Sequence, residues 1–169
     1  VCRLADCFVK LVPKSTLEES LRGFYATLET ALAKSVQRRL GIAFDSADEE
    51  REAMLARQFF TAAKASDQGF DQIFHDLFGG KARSSGYASD IWKPLVEVLS
   101  AARPICPDAL QHPHFRKSHA VSLTIDEVES LWAPIAAQDD WQPLANKITA
   151  IRTMRAALDG AAITAIPQI

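Results

Sequence analysis

The sequence predicts an all-α fold, an orthogonal or bundle-like array of about seven helices with no significant sheet. Two observations carry that prediction. Apolar residues recur at steps of three and four along most of the chain, and capping or stop residues punctuate those runs. A third supports it: no strand alternation, hairpin signal or internal repeat interrupts the pattern.

The segment before Pro13, with Leu4, Phe8, Leu11 and Val12, reads as the end of a first helix. Leu17, Leu21, Tyr25, Leu28, Leu32, Val36 and Leu40 then trace one stripe along a long helix. Ser15 and Glu18 have capping-box spacing at its start, and Gly41 stands at its expected stop. Asp45-Ser46 is placed to cap a third helix, with Asp48, Glu49 and Glu50 in a first turn where the helix dipole favours them. Its apolar side holds Met54, Leu55, Phe59 and Phe60.

Ser66 or Asp67 begins a fourth helix whose Phe70, Ile73, Phe74, Leu77 and Phe78 form an aromatic face, and Gly79-Gly80 stops it. Lys81 to Gly86 is a polar loop. Tyr87 to Arg103 predicts a fifth helix with Pro94 near its first turn, where proline is tolerated. From Pro104 to His119 three prolines break the pattern, leaving a long connection with at most one short turn. Thr124 and Glu127 repeat the capping-box spacing before Val128, Leu131, Trp132 and Ile135, with a kink expected at Pro134. Asp139 or Asp140 caps the last helix, whose expected buried stripe is Trp141, Leu144, Ile148, Ile151, Met154 and Leu158, closed by Gly160. The organisation is thus a helical subdomain over 1–103, a Pro/His-containing connection over 104–123, and a helical pair with a tail over 124–169.

The 169 residues are enough for one domain with a real core, and the 48% hydrophobic and 24% charged fractions are ordinary for a globular chain. A net charge of −2 supplies no basic field for nucleic acid or an anionic membrane surface, so neither is expected as a partner. No apolar run approaches the roughly 20 residues a membrane helix needs. No signal peptide is visible, and a start at Val1 points to a piece of something longer. Cys2, Cys7 and Cys106 have no framework spacing and read as reduced thiols of a cytoplasmic protein.

No residue qualifies on sequence grounds as catalytic, cofactor-binding or metal-binding. His112, His114 and His119 with Cys106 form the one cluster that suggests zinc, but no CxxC or HxxxH pair accompanies them. The ordinary reading is a stiffened surface connection. Asp45, Asp48, Glu49 and Glu50 lack the alternation and glycine of a calcium loop, and these four, like Asp126, Glu127 and Glu129, read as solvated helix starts. Gly79-Gly80 belongs to no phosphate loop. Cys7, Cys106 and the serines have no nucleophile motif, and sequence alone brings His75 to none of them. Phe59, Phe60, Phe70, Phe74 and Phe78 have the spacing of a buried face, with a partner groove as the alternative. Trp92, Trp132 and Trp141 read as core or interface anchors.

Several segments, in order, resemble the C-terminal part of the selenoprotein O family. Cys2-Arg3-Leu4-Ala5 with Leu11-Val12-Pro13 resembles that family's "RLA…L.P" helix, and Arg38-Arg39-Leu40-Gly41-Ile42 its "KLGL" segment. Gln68 to Gly80 is similar to an aromatic helix of bacterial members. His112-Pro113-His114-Phe115, the run Ile125 to Ala136, and Asp139-Asp140-Trp141 before the last helix resemble the tail of one bacterial branch. The resemblance implies a pseudokinase-like protein adenylyltransferase, a magnesium-dependent nucleotidyltransferase that binds ATP and transfers AMP to protein Ser, Thr or Tyr hydroxyls (AMPylation). Residues 1–103 would then be the C-terminal part of its kinase-like lobe. The metal-binding carboxylates and phosphate clamp of such chemistry would lie upstream, so no catalytic residue carries over.

The chain departs from the family at Val1, where a tryptophan often precedes the "RLA" segment. It also lacks the Asn-Pro segment and the C-terminal cysteine or selenocysteine of other branches. The expectation is a non-catalytic helical region that holds no cofactor itself, stabilises the ATP- and Mg-binding lobe, and helps present protein substrates. The competing expectation is a free-standing helical interaction module. A small helical enzyme ranks below both, since no acid–base pair or metal set stands out.

Overall fold

The structure, a computed structural model, describes residues 6–45 and 48–162, the last three as backbone only. Residues 6–8 are helical and the chain turns before Pro13, as the sequence leads one to expect. Helix α1 spans Lys14–Leu40. Pro13, with its fixed φ, stands at its N-cap without a side-chain cap bond, so the Ser15/Glu18 capping box does not form; Glu18 pairs with Lys14 at 3.5 Å instead. Arg38 and Arg39 occupy the last turn, where cations complement the dipole.

Gly41 ends α1 at φ 62°, in the left-handed region. A Cβ there would lie 2.6 Å from the Phe78 ring, so both the conformation and the close approach require glycine. Past it the chain forms strand β1, Ile42–Phe44, antiparallel to β2, Ala102–Pro104, in the register Ile42↔Pro104, Ala43↔Arg103 and Phe44↔Ala102. Three residues are too few to display alternation, so this ribbon is invisible to a periodicity reading. It also corrects the fifth helix, which was expected to run to Arg103.

Helix α2, Glu49–Ala65, is capped by Asp48, which accepts the Arg51 N–H at 3.0 Å. The expected cap at Asp45-Ser46 is wrong: Asp45 pairs with Arg103 across the ribbon at 2.7 Å, and Ser46 lies outside the described residues. Helix α3, Phe70–Leu77, starts at Gly69 and not at Ser66 or Asp67. Ser66 is occupied in ending α2, donating to the Ala63 carbonyl and accepting the Gln68 N–H. Gly79 and Gly80, at φ 82° and 84°, follow α3 as expected.

Tyr87 sits in a single 3₁₀ turn, Ser85–Ala88, and helix α4 covers only Lys93–Ser100, with Pro94 in its first turn. The connection holds two 3₁₀ turns, Pro107–Gln111 and Pro113–Arg116, where at most one was expected. Helix α5 spans Ile125–Gln138 and α6 spans Gln142–Ala162, running through Gly160, the expected stop. Thr124 caps α5 without a side-chain bond. Glu127 instead accepts from Ser122 and pairs with Lys147 of α6, which holds its carboxyl below the usual range. Asp139 ends α5 at φ 55°, and Asp140 accepts the Gln142 N–H at 2.9 Å to start α6.

The main core joins the C-terminal end of α1 to β1, α2, α3 and α4. Leu40, Ile42, Leu55, Phe59, Ile73, Leu77, Leu95 and Leu99 are fully buried there. Each contributes roughly 1.5–3 kcal/mol of transfer free energy, which makes this cluster the stable body of the chain. A smaller cluster of Phe78, Ala109, Phe115 and Ala157 fastens α6 to the connection. The predicted all-α class holds, with the β1–β2 ribbon as its small addition.

Candidate functional site

Where α3 meets the connection, the body carries a buried polar hub. Asp76, on the last turn of α3, accepts from Gln72 Nε2 at 2.9 Å and faces His75 Nδ1 at 3.2 Å. The Tyr87 hydroxyl, 2.7 Å from Gln68 Oε1 and 3.2 Å from Asp76 Oδ2, shares one proton between two acceptors. Burial, and then the Asp76 carboxylate, raise the Tyr87 phenol well above its ordinary range. Gln72 reaches onward, donating to the Ser118 carbonyl and accepting the Ala120 N–H. The hub thereby ties α3 to the turn at Tyr87 and to the later part of the connection.

His75 faces an acceptor at each ring nitrogen, Asp76 on one side and the His114 carbonyl at 3.3 Å on the other. His114 stacks edge-on against it, ring centroids 5.1 Å apart. Only 3% exposed, His114 is pushed down to about 4, by burial first and then by its neighbours His75, Lys117, His112 and Arg83, so it is neutral at ordinary pH. Its Nδ1 is buried without a hydrogen-bond partner, the one such side-chain atom among the described residues. An orphaned polar atom of this kind costs about 1–3 kcal/mol.

His114 also lines a cavity of about 390 Å³ between the end of α1, α3, the connection and α6. Phe74, Phe78, Ile105, Phe115, Met154 and Leu158 supply its apolar wall. Arg38, Arg39 and Asp71 stand among its lining residues as the charged members. Arg39 lies 4.0 Å over the Phe74 ring and pairs with Asp71 at 3.2 Å. Arg38 is exposed and makes no ion pair among the described residues.

The residues singled out in the sequence scatter. His112 accepts the His114 N–H at 3.2 Å, His114 is buried, His119 is exposed and Cys106 packs on the smaller core cluster. Among the described residues no three His, Cys, Asp or Glu side chains gather as a metal would require. Glu49 and Glu50 lie in the first turn of α2 and Asp126 and Glu127 in that of α5, as expected of helix starts. Phe59, Phe74 and Phe78 are buried as predicted, whereas Phe60 and Phe70 are 38% and 51% exposed. Trp92 is a core anchor, while Trp132 and Trp141 stand exposed on the α5–α6 pair.

The expected buried stripe of α6 is corrected too: Trp141 and Ile148 are exposed, Leu144, Ile151, Met154 and Leu158 half-buried, and among the described side chains of the helix Ala157 alone is buried. Along α1 the traced stripe is buried only at its end, at Val36 and Leu40. From Lys14 to Leu32 no residue is buried, although Leu17, Leu21, Tyr25, Leu28 and Leu32 share one face. The cavity and the Asp76 hub were missed by sequence reading; the His75-Asp76 pair on an aromatic helix was the one signal that could have marked them.

No described helix is long and apolar enough to cross a membrane. No protein family, curated protein or solved structure matches the chain.

Proposed function

We propose that this chain is a non-catalytic helical segment that packs against a larger lobe of the same protein. The whole protein, on this reading, is a selenoprotein O-like adenylyltransferase that moves AMP from ATP to protein Ser, Thr or Tyr hydroxyls. The observation that carries the first half is the stripe on α1. Tyr25, Leu28 and Leu32 are 55%, 39% and 38% exposed, on a regular helix whose far end is anchored in the core. An aligned apolar face on a soluble body marks a surface that another element covers. The second half rests on the ordered resemblance of segments from Arg38-Arg39-Leu40-Gly41 to Asp139-Asp140-Trp141. ATP and magnesium would belong to the upstream lobe, and the same reading carries a cytoplasmic setting with it.

The test extends the chain upstream through its own gene and assays transfer of labelled AMP from ATP to protein. The extended protein should label acceptors in magnesium, and the 169-residue chain should not. Labelling by the isolated chain, or an upstream region without a kinase-like lysine and magnesium-binding Asp and Asn, overturns the reading. The same stripe favours a second reading, a free-standing module for a separate protein. That version expects a monomer in isolation, whereas a face that belongs under a missing lobe drives self-association.

A further inference from the structure

The structure holds a largely apolar cavity, open to one side, with one unmatched cation among its lining residues. Its wall is aromatic and aliphatic: Phe74 and Phe78 come from α3 and its end, Phe115 from the connection, Met154 and Leu158 from α6. At about 390 Å³ it falls within the range of small-molecule sites. Met154 lets such a wall adapt to an occupant, because an unbranched thioether repacks at little cost.

The charges around it set the occupant's sign and magnitude. Arg39 is matched by Asp71, so the three charged lining residues leave a net of one positive charge, carried by Arg38. A dianion would meet Asp71, a cation would meet Arg38, and a neutral apolar molecule would leave Arg38 unused. His75 and His114, the latter 3% exposed with an unpartnered Nδ1, are the buried polar members of the wall.

We infer that this cavity binds an amphiphilic organic monoanion, its apolar body between Phe78, Phe115 and Leu158 and its carboxylate at Arg38. The site is independent of the α1 stripe: it lies at the opposite, anchored end of that helix. It therefore stands or falls apart from the adenylyltransferase reading.

The test uses the 169-residue chain and sodium decanoate below its micellar range, followed by two-dimensional NMR, with decanol and decylamine as matched probes. Decanoate should give saturable shifts centred on Gly41, Ile105 and the Met154 methyl. Decanol should bind at least about tenfold more weakly, because it forgoes a charge-assisted bond. Decylamine should weaken further. Arg38→Gln, at an exposed position, should reduce decanoate affinity about tenfold and leave decanol unchanged. Leu158→Trp, which fills the cavity, should abolish decanoate binding, with the circular dichroism spectrum checking that the fold persists. Equal binding of all three probes, no saturable shift, or an unaltered decanoate isotherm in Arg38→Gln overturns the proposal.

Discussion

His114 is buried and neutral, and it lacks a partner at Nδ1. Those properties together give stability a pH dependence. In the unfolded chain this histidine takes up a proton around 6.5; in the folded chain it does so only at about 4. Between those values the unfolded state binds more protons, so stability falls as pH drops through that window and is fully present above it. The difference is worth roughly 3 kcal/mol. Urea unfolding across the window should show the fall, and His114→Leu should flatten it; an unchanged slope in that variant would assign the dependence to other groups. Gly41→Ala tests the backbone at the same scale. The left-handed conformation alone costs about 1–2 kcal/mol with a Cβ, and the Phe78 contact at 2.6 Å adds to it. A clear drop in melting temperature is expected, and a neutral effect would mean that Phe78 swings aside.

Helix α1 behaves as two elements joined end to end. Its last turns bury Ala33, Val36 and Leu40, and Leu40→Ala should cost about 2–5 kcal/mol in urea unfolding. Upstream, the paired substitution Tyr25→Glu and Leu28→Glu should change stability by no more than ~0.5 kcal/mol per site. It should also lower self-association, read by sedimentation velocity; loss of fold in that variant would mean the stripe is covered within the chain. Periodicity finds such a helix but not what lies against it, which is why the α1 stripe was legible without its covering and the α6 stripe was misread as buried. Caps slipped for a local reason, since Ser66 had already been drawn into the end of α2 and Asp45 into an ion pair with Arg103. The cavity was beyond reach of the sequence because its lining comes from α1, α3, the connection and α6, brought together only by packing.

At the scale of the whole molecule, the main core and the smaller cluster meet at Phe78, whose ring touches Gly41 on one side and stacks on Phe115 at 4.5 Å. Loosening α6 should therefore perturb the end of α1 before it perturbs α2 or α4. Hydrogen exchange of a chain ended at Gln138 would show this as early loss of protection at Gly41 and Ile42; protection lost first in α4 would contradict it. The two-strand ribbon has a different effect on the same body. It pairs residues about sixty positions apart, so the whole stretch from Asp48 to Ala101 leaves and returns through one narrow neck, clamped outside by Arg103 on Asp45. Such a stretch is a knot of packing with a handle. A protease cut in the exposed turn at Lys81 would divide the backbone yet release nothing, because both halves would stay laced to each other through the ribbon and the core. The nicked molecule should migrate as one particle in native conditions and as two chains only once denatured.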